Sequence, residues 1–185
     1  SGLTGRLSRN SIEANVTGSI DDLIHVAGID VGFEAAGRDL ADLDEIFEVS
    51  FPATETLSAS GRVTGSRQSL NLTFEQAELT RGDLRLTGTG RMLDLVEAPQ
   101  LDLDATLTGA DAREAAALID VDEMFETERF ELQARVTGAL LRPDVEDIVG
   151  RFAHPDGTLA VSGRLPDVIA GRRIDLRPVI RGRNM

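Results

Sequence analysis

The sequence predicts a mainly β protein: antiparallel sheet, groove-like or sandwich-like, repeated along 185 residues with short helices between repeats. Three observations carry this. The stretch Leu101-Asp102-Leu103-Asp104-Ala105-Thr106-Leu107-Thr108-Gly109 sends Leu101, Leu103, Ala105 and Leu107 to one side of an extended strand and its Asp and Thr residues to the other. That period of two marks a half-buried strand. The pattern occurs again at residues 29–37 and 174–182, whose closing glycines, Gly37 and Gly182, lie 72 and 73 residues from Gly109. Gly18, Gly90 and Gly163 keep the same spacing, each expected to open a turn, and Arg62-Val63-Thr64-Gly65 returns 73 residues later as Arg135-Val136-Thr137-Gly138. One self-similar offset shared by several features is the signature of a repeat. The chain therefore reads as one segment of about two and a half repeats, with approximate units 1–47, 48–120 and 121–185.

Taken in order, Ile12, Ala14, Val16 and Ile20 alternate with Glu13, Asn15, Thr17 and Ser19 to make a strand, followed by a turn near Asp21-Asp22 and the first copy of the key strand. Leu40, Leu43, Ile46 and Phe47 then change to helical spacing, with Asp39 placed to cap a short helix over about 39–47 that Phe51-Pro52-Ala53 ends. Strand patterning resumes at 56–65, turns at Gly65-Ser66-Arg67, and continues through Leu70, Leu72 and Phe74. A slip of phase at Glu75-Gln76, before Ala77 and Leu79, predicts a bulge. Arg81-Gly82-Asp83 is a tight turn into a strand bearing Leu84, Leu86 and Met92. Asp111-x-x-Glu114 resembles a capping box ahead of Ala115, Ala116, Ala117, Leu118 and Ile119, which predicts a second helix. Phe130, Leu132, Ala134 and Val136 form a strand that Leu140-Leu141-Arg142-Pro143 should break. Val145, Ile148, Val149 and Phe152 fit either a short helix or an extended segment. His154-Pro155-Asp156-Gly157 is a hairpin turn, and Leu159, Val161 and Leu165 lead to the last key strand. The unit is thus four antiparallel strands and a short helix.

Composition narrows the function. The net charge is −13, which opposes nucleic-acid binding, because phosphate contacts need a basic face. Aromatics are 4% with no Trp or Tyr, which is unusual for a surface that stacks bases or sugars. Every basic residue is Arg, and six of them fall in residues 164–185 against two acids. With no cysteine there is neither a disulfide nor a thiolate site. No apolar run approaches the ~20 residues that span a bilayer, and no signal peptide is visible. Ser1-Gly2 ahead of an abrupt Leu3-Thr4-Gly5 reads as the excised part of a longer protein.

A family resemblance enters on these residues. Strands ending in Val-Thr-Gly or Leu-Thr-Gly, then Gly90-Arg91-Met92-Leu93-Asp94-Leu95, then Ala98-Pro99-Gln100-Leu101-Asp102-Leu103, then Asp111-Ala112-Arg113-Glu114-Ala115-Ala116, resemble the AsmA-like repeats of bacterial envelope proteins such as AsmA, TamB and YhdP. The similarity covers most of residues 12–182 and is sharpest over 57–138. It implies an elongated repeating β-groove in the periplasm, belonging to a parent protein anchored in the inner membrane and serving phospholipid transport and outer-membrane integrity. It implies no catalytic residues. The anchoring helix of the family has no counterpart in these residues.

The candidate site is accordingly apolar. Leu70, Leu72, Phe74, Leu84, Leu86, Leu101, Leu103, Leu107, Phe130, Leu132, Val136, Leu159, Val161, Leu176 and Ile180 are expected either to wall an open groove for lipid acyl chains or to fill a closed sandwich core. Each sheltered CH₂ of a lipid is worth ~0.8 kcal/mol, so such a wall needs no polar recognition. Arg172, Arg173, Arg177, Arg181 and Arg183 could meet anionic head groups or form a solvated edge. His25 and His154 lack a second ligand at metal spacing, and the pairs Asp102/Asp104 and Asp21/Asp22 read as solvated surface rather than acid–base machinery. The expected function is non-enzymatic lipid binding or transport, with no cofactor or metal. Its partners would be acyl chains, neighbouring repeats and, through the parent chain, the inner membrane. The alternatives are a structural or partner-docking envelope module and a polysaccharide-acting enzyme on a β scaffold, the latter opposed by the missing Trp and Tyr.

Overall fold

Short turns set the topology. In the computed structural model, which describes residues 2–22, 25–44, 53–117, 126–167 and 175–182, Arg9 pairs with Ile12, Arg81 with Leu84, Ala139 with Arg142 and His154 with Gly157. Each of these hairpins turns on two residues, as antiparallel neighbours allow. Asn10 and Gly82 supply the positive φ (51° and 56°) in two of them. The strands are β1 (Gly2–Arg9), β2 (Ile12–Asp22), β3 (Ala27–Gly37), β4 (Thr56–Ser66), β5 (Leu70–Arg81), β6 (Leu84–Leu93), β7 (Gln100–Gly109), β8 (Arg129–Ala139), β9 (Arg142–His154), β10 (Gly157–Leu165) and β11 (Asp175–Gly182). They form a single 11-stranded antiparallel sheet in sequence order. No second sheet exists among the described residues, so the sandwich alternative does not hold.

The accessible surface reflects this one-layer build. It measures 12390 Å², whereas a compact chain of this mass would expose about 8,700 Å². The buried residues are correspondingly few. Among the described residues Leu84, Ala112, Phe130 and Phe152 make the one compact cluster, with Leu107, Ala115, Leu159 and Val161 against it. This cluster sits where helix α1 (Ala112–Ala117) lies over the ends of the strands. Gly109 closes β7 there because a side chain has no room: its Cβ would stand 2.7 Å from Phe130 Cε1 and 2.8 Å from Leu84 Cδ2.

Several local expectations change. The first helix is a 3-10 turn, Leu40–Leu43, capped as expected by Asp39, whose carboxylate accepts from the Ala41 N–H; residues 45–52 lie outside the described residues. The Asp111 carboxylate accepts from the Arg113 N–H, while the Glu114 N–H donates to the Asp111 backbone carbonyl; Leu118 and Ile119 lie outside the described residues. Residues 145–152 are extended, not helical. They belong to β9, which bulges against β8 between Gln133 and Arg135 with Asp147 at φ 51°. The bulge explains the helix-like spacing, since one inserted residue brings Val145 and Ile148 to the same face. Only Leu140 and Leu141 form the next turn; Arg142 and Pro143 already pair in β9 with Ala139 and Gly138. The predicted bulge at Glu75-Gln76 is present, opposite Ser60/Gly61 on β4 and between Phe74 and Ala77 on the β6 side.

Gly18, Gly90 and Gly163 do not open turns. They lie inside β2, β6 and β10, where a Cβ would meet the carbonyl oxygens of Asp30, Asp102 and Asp175 at 2.1, 2.3 and 2.0 Å. Gly90 and Gly163 also hold φ of 138° and 151°, which L side chains seldom adopt. The turns follow several residues later. After β6, the Asp94 N–H donates to Asn71 of β5; after β10, the Asp167 N–H donates to Asp144 of β9.

Candidate functional site

Residues directly opposite one another on paired strands share a face, so the register assigns every side chain to a side of the sheet. One row runs Leu57–Leu79–Leu86–Leu107–Leu132–Gly150–Val161–Pro178 from β4 to β11. A parallel row runs Val16–Phe33–Gly61–Phe74–Gly90–Leu103–Val136–Val145–Leu165. Between them lies Ala14–Ala35–Ala59–Ala77–Gly88–Ala105–Ala134, one small residue per strand from β2 to β8. Beyond the second row come Val31, Val63, Leu72, Met92 and Leu101. The apolar face is therefore ridged across the strands: bulky rows flank a strip that carries nothing larger than a methyl group. At about 4.8 Å per strand the strip extends about 29 Å.

All fifteen apolar candidates fall on this face, but their surroundings differ. Leu84, Leu101 and Phe130 are buried, Leu84 and Phe130 beneath α1. Leu70, Leu72, Phe74, Leu86, Leu103, Leu107, Leu132, Val136, Leu159 and Val161 are half-buried by neighbours within the same layer. Leu176 and Ile180 on β11 are exposed, Ile180 at 79%. Phe33 and Phe74 meet edge to face with centroids 6.3 Å apart, over Gly61, where an added Cβ would come within 3.0 Å of the Phe33 ring. The sequence reading missed the alanine strip, since only cross-strand register aligns alanines that lie dozens of residues apart. It also missed Phe33, Val31, Val63, Leu79 and Met92, although the alternation around each was visible.

The opposite face is polar and laced with ion pairs across strands. Asp102 accepts from Arg135 Nη2 (2.7 Å) and Arg91 Nη2 (3.0 Å). Asp30 takes Arg62 at 2.6 Å, and Arg164 approaches Asp175 at 3.6 Å, so each copy of the key strand places an Asp beside a neighbouring strand's Arg. Hydrogen bonds from Arg135, and then from Arg91, hold the Asp102 carboxyl below the usual carboxylate range. Asp104 shares this face and is exposed. Asp22 pairs with His25 Nδ1 at 2.7 Å, and His154 stands 3.6 Å from Asp156. Among the described residues no group of three or more His, Asp or Glu is placed to hold a metal ion. Of the arginine tail, Arg177 and Arg181 lie on β11, on the polar face; Arg172, Arg173 and Arg183 fall outside the described residues. No helix among the described residues is long and apolar enough to cross a membrane.

Comparison of the chain with protein-family models, with curated proteins and with solved structures gave no match.

Proposed function

We propose that this segment is a non-enzymatic lipid-holding surface: its ridged apolar face shelters acyl chains of a phospholipid or similar lipid, as the resemblance to AsmA-like envelope proteins implies. The observation that carries the reading is the segregation of Leu, Val, Phe and Ala onto one side of a single-layer sheet, with no described second layer over it. An uncovered apolar face of this extent is unfavourable in water and marks an interaction surface. The strip of about 29 Å exceeds one leaflet's hydrocarbon depth of about 15 Å, so an acyl chain fits along it end to end. At ~0.8 kcal/mol for each buried CH₂, a dozen methylenes would bind appreciably without a polar contact.

On this reading the parent protein belongs to the bacterial periplasm, anchored to the inner membrane, with neighbouring repeats extending the surface and contributing to outer-membrane integrity. Gently purified protein examined by native mass spectrometry and solvent extraction should carry phospholipid. Lipid-free protein that also fails to take up added phospholipid would overturn the proposal. A second reading, a structural or partner-docking module, is favoured by one observation: among the described residues β1 and β11 each pair on one side only, and unpaired edges recruit further strands. A stoichiometric envelope partner captured by lipid-free protein would support it.

A further inference from the structure

The polar face holds a feature that the acyl-chain reading does not use. Arg129 on β8, Arg151 on β9 and Arg181 on β11 surround a hollow of about 590 Å³. Register explains how they meet. Arg129, Ala153, Thr158 and Arg181 form one transverse row, and Arg151 stands beside Ala160 in the next row. Arg129 and Arg181 are therefore three strands apart, about 14 Å between backbones, with only small side chains between them. Long guanidinium arms can lean inward from both ends over that floor, and Arg151 approaches from the side.

The charge balance is unlike the rest of the molecule. The chain carries −13, and six arginines elsewhere on this face, Arg6, Arg62, Arg85, Arg91, Arg135 and Arg164, lie against carboxylates. None of Arg129, Arg151 and Arg181 has a carboxylate partner among the described residues. Glu131, directly across from Arg151, is the one acid lining the hollow among the described residues, and its Oε1 accepts from Gln133. Glu128 borders the adjoining depression with His154. Three uncommitted guanidiniums against one acid leave a local excess of positive charge in a concave site.

We propose that Arg129, Arg151 and Arg181 form a binding site for a phosphate-bearing ligand, on the face opposite the apolar strip. Guanidiniums present paired N–H donors that match phosphate oxygens, and three of them arranged around a hollow suit an oxyanion better than a single carboxylate. Thr158 on the floor adds a hydroxyl that can donate to the same group. The site stands apart from the acyl-chain reading, because a lipid lying in the strip cannot reach through the sheet.

Titration calorimetry with pyrophosphate, and flotation with phosphatidylglycerol vesicles against phosphatidylcholine vesicles, test the site and distinguish a soluble phosphate from a head group. Saturable binding to either probe is expected, weakening as salt rises. Arg129→Gln, Arg151→Gln and Arg181→Gln should each weaken it by roughly ten-fold, as expected for loss of one charge-assisted contact. Arg67→Gln, on a remote turn, should leave it unchanged. Circular dichroism of each variant separates loss of the site from loss of the fold. The proposal is overturned if neither probe binds, or if folded Arg→Gln variants bind as the unsubstituted protein does.

Discussion

Thr54 and Thr127, 73 residues apart, make the same pair of hydrogen bonds. Thr127 Oγ1 donates to the Ala110 carbonyl at 2.7 Å and accepts the Ala112 N–H at 2.9 Å. Thr54 Oγ1 donates to the Arg38 carbonyl at 3.2 Å and accepts the Leu40 N–H at 2.9 Å. In both places one hydroxyl ties the first turn after a key strand to the approach of the next strand. It also satisfies an N–H that a helix start leaves without an internal partner.

Thr127 is buried at 6% exposure, so its removal leaves polar groups without water to replace it. Thr127→Val should therefore destabilise the chain by about 1–3 kcal/mol, while Thr127→Ser retains the bonds and most of the stability. Urea unfolding of both variants measures this. Equal stability of Thr127→Val and the unsubstituted protein would show that the clamp is dispensable.

Gly90 is needed for two reasons that coincide, a φ of 138° and a Cβ position 2.3 Å from the Asp102 carbonyl oxygen. Gly90→Ala should cost more than about 1 kcal/mol. Gly82 has a φ of 56° but open space around it, the nearest atom being 3.7 Å away. Gly82→Asn should be tolerated, because Asn accepts the left-handed conformation. Thermal melts of the two variants should separate clearly, and matching melts would contradict this account of the glycines.

Asp102 links acid stability to the polar face. Its folded pKa is depressed, by hydrogen bonds first from Arg135 and then from Arg91, so its contribution is present above the ordinary aspartate value. That contribution is lost as pH falls below about 4, toward the folded value. Asp102→Asn should lower stability at neutral pH and flatten the dependence on pH in the acid range. Unfolding midpoints measured from neutral pH down to the acid limb check both effects, and an unchanged acid limb would remove Asp102 from the explanation.

Much of the fold could be read from the chain because a half-buried strand prints its burial as alternation. Leu101 to Leu107 and the slip at Glu75-Gln76 came through in this way, and the Pro155-Asp156 turn through the dihedral preferences of its residues. Residues 145–152 were ambiguous since a bulge imitates helical spacing over one turn. Gly90 and Gly163 suggested turns because the sequence shows that a glycine is needed but not why; the cause is a carbonyl oxygen on the neighbouring strand. Single-strand periodicity likewise found the bulky walls. The alanine strip and the Arg129–Arg151–Arg181 group exist only across strands, where register, not local pattern, brings residues together.

Leu103 and Asp104 are chain neighbours on opposite faces, and the protein has no tryptophan of its own. Leu103→Trp and Asp104→Trp therefore place a single indole on the apolar and the polar side respectively. The most direct measurement is fluorescence quenching of each variant by a phospholipid brominated along its acyl chain. The account predicts strong quenching for Leu103→Trp and little for Asp104→Trp; equal quenching of the two, or none in either, would contradict an acyl chain lying on the apolar face.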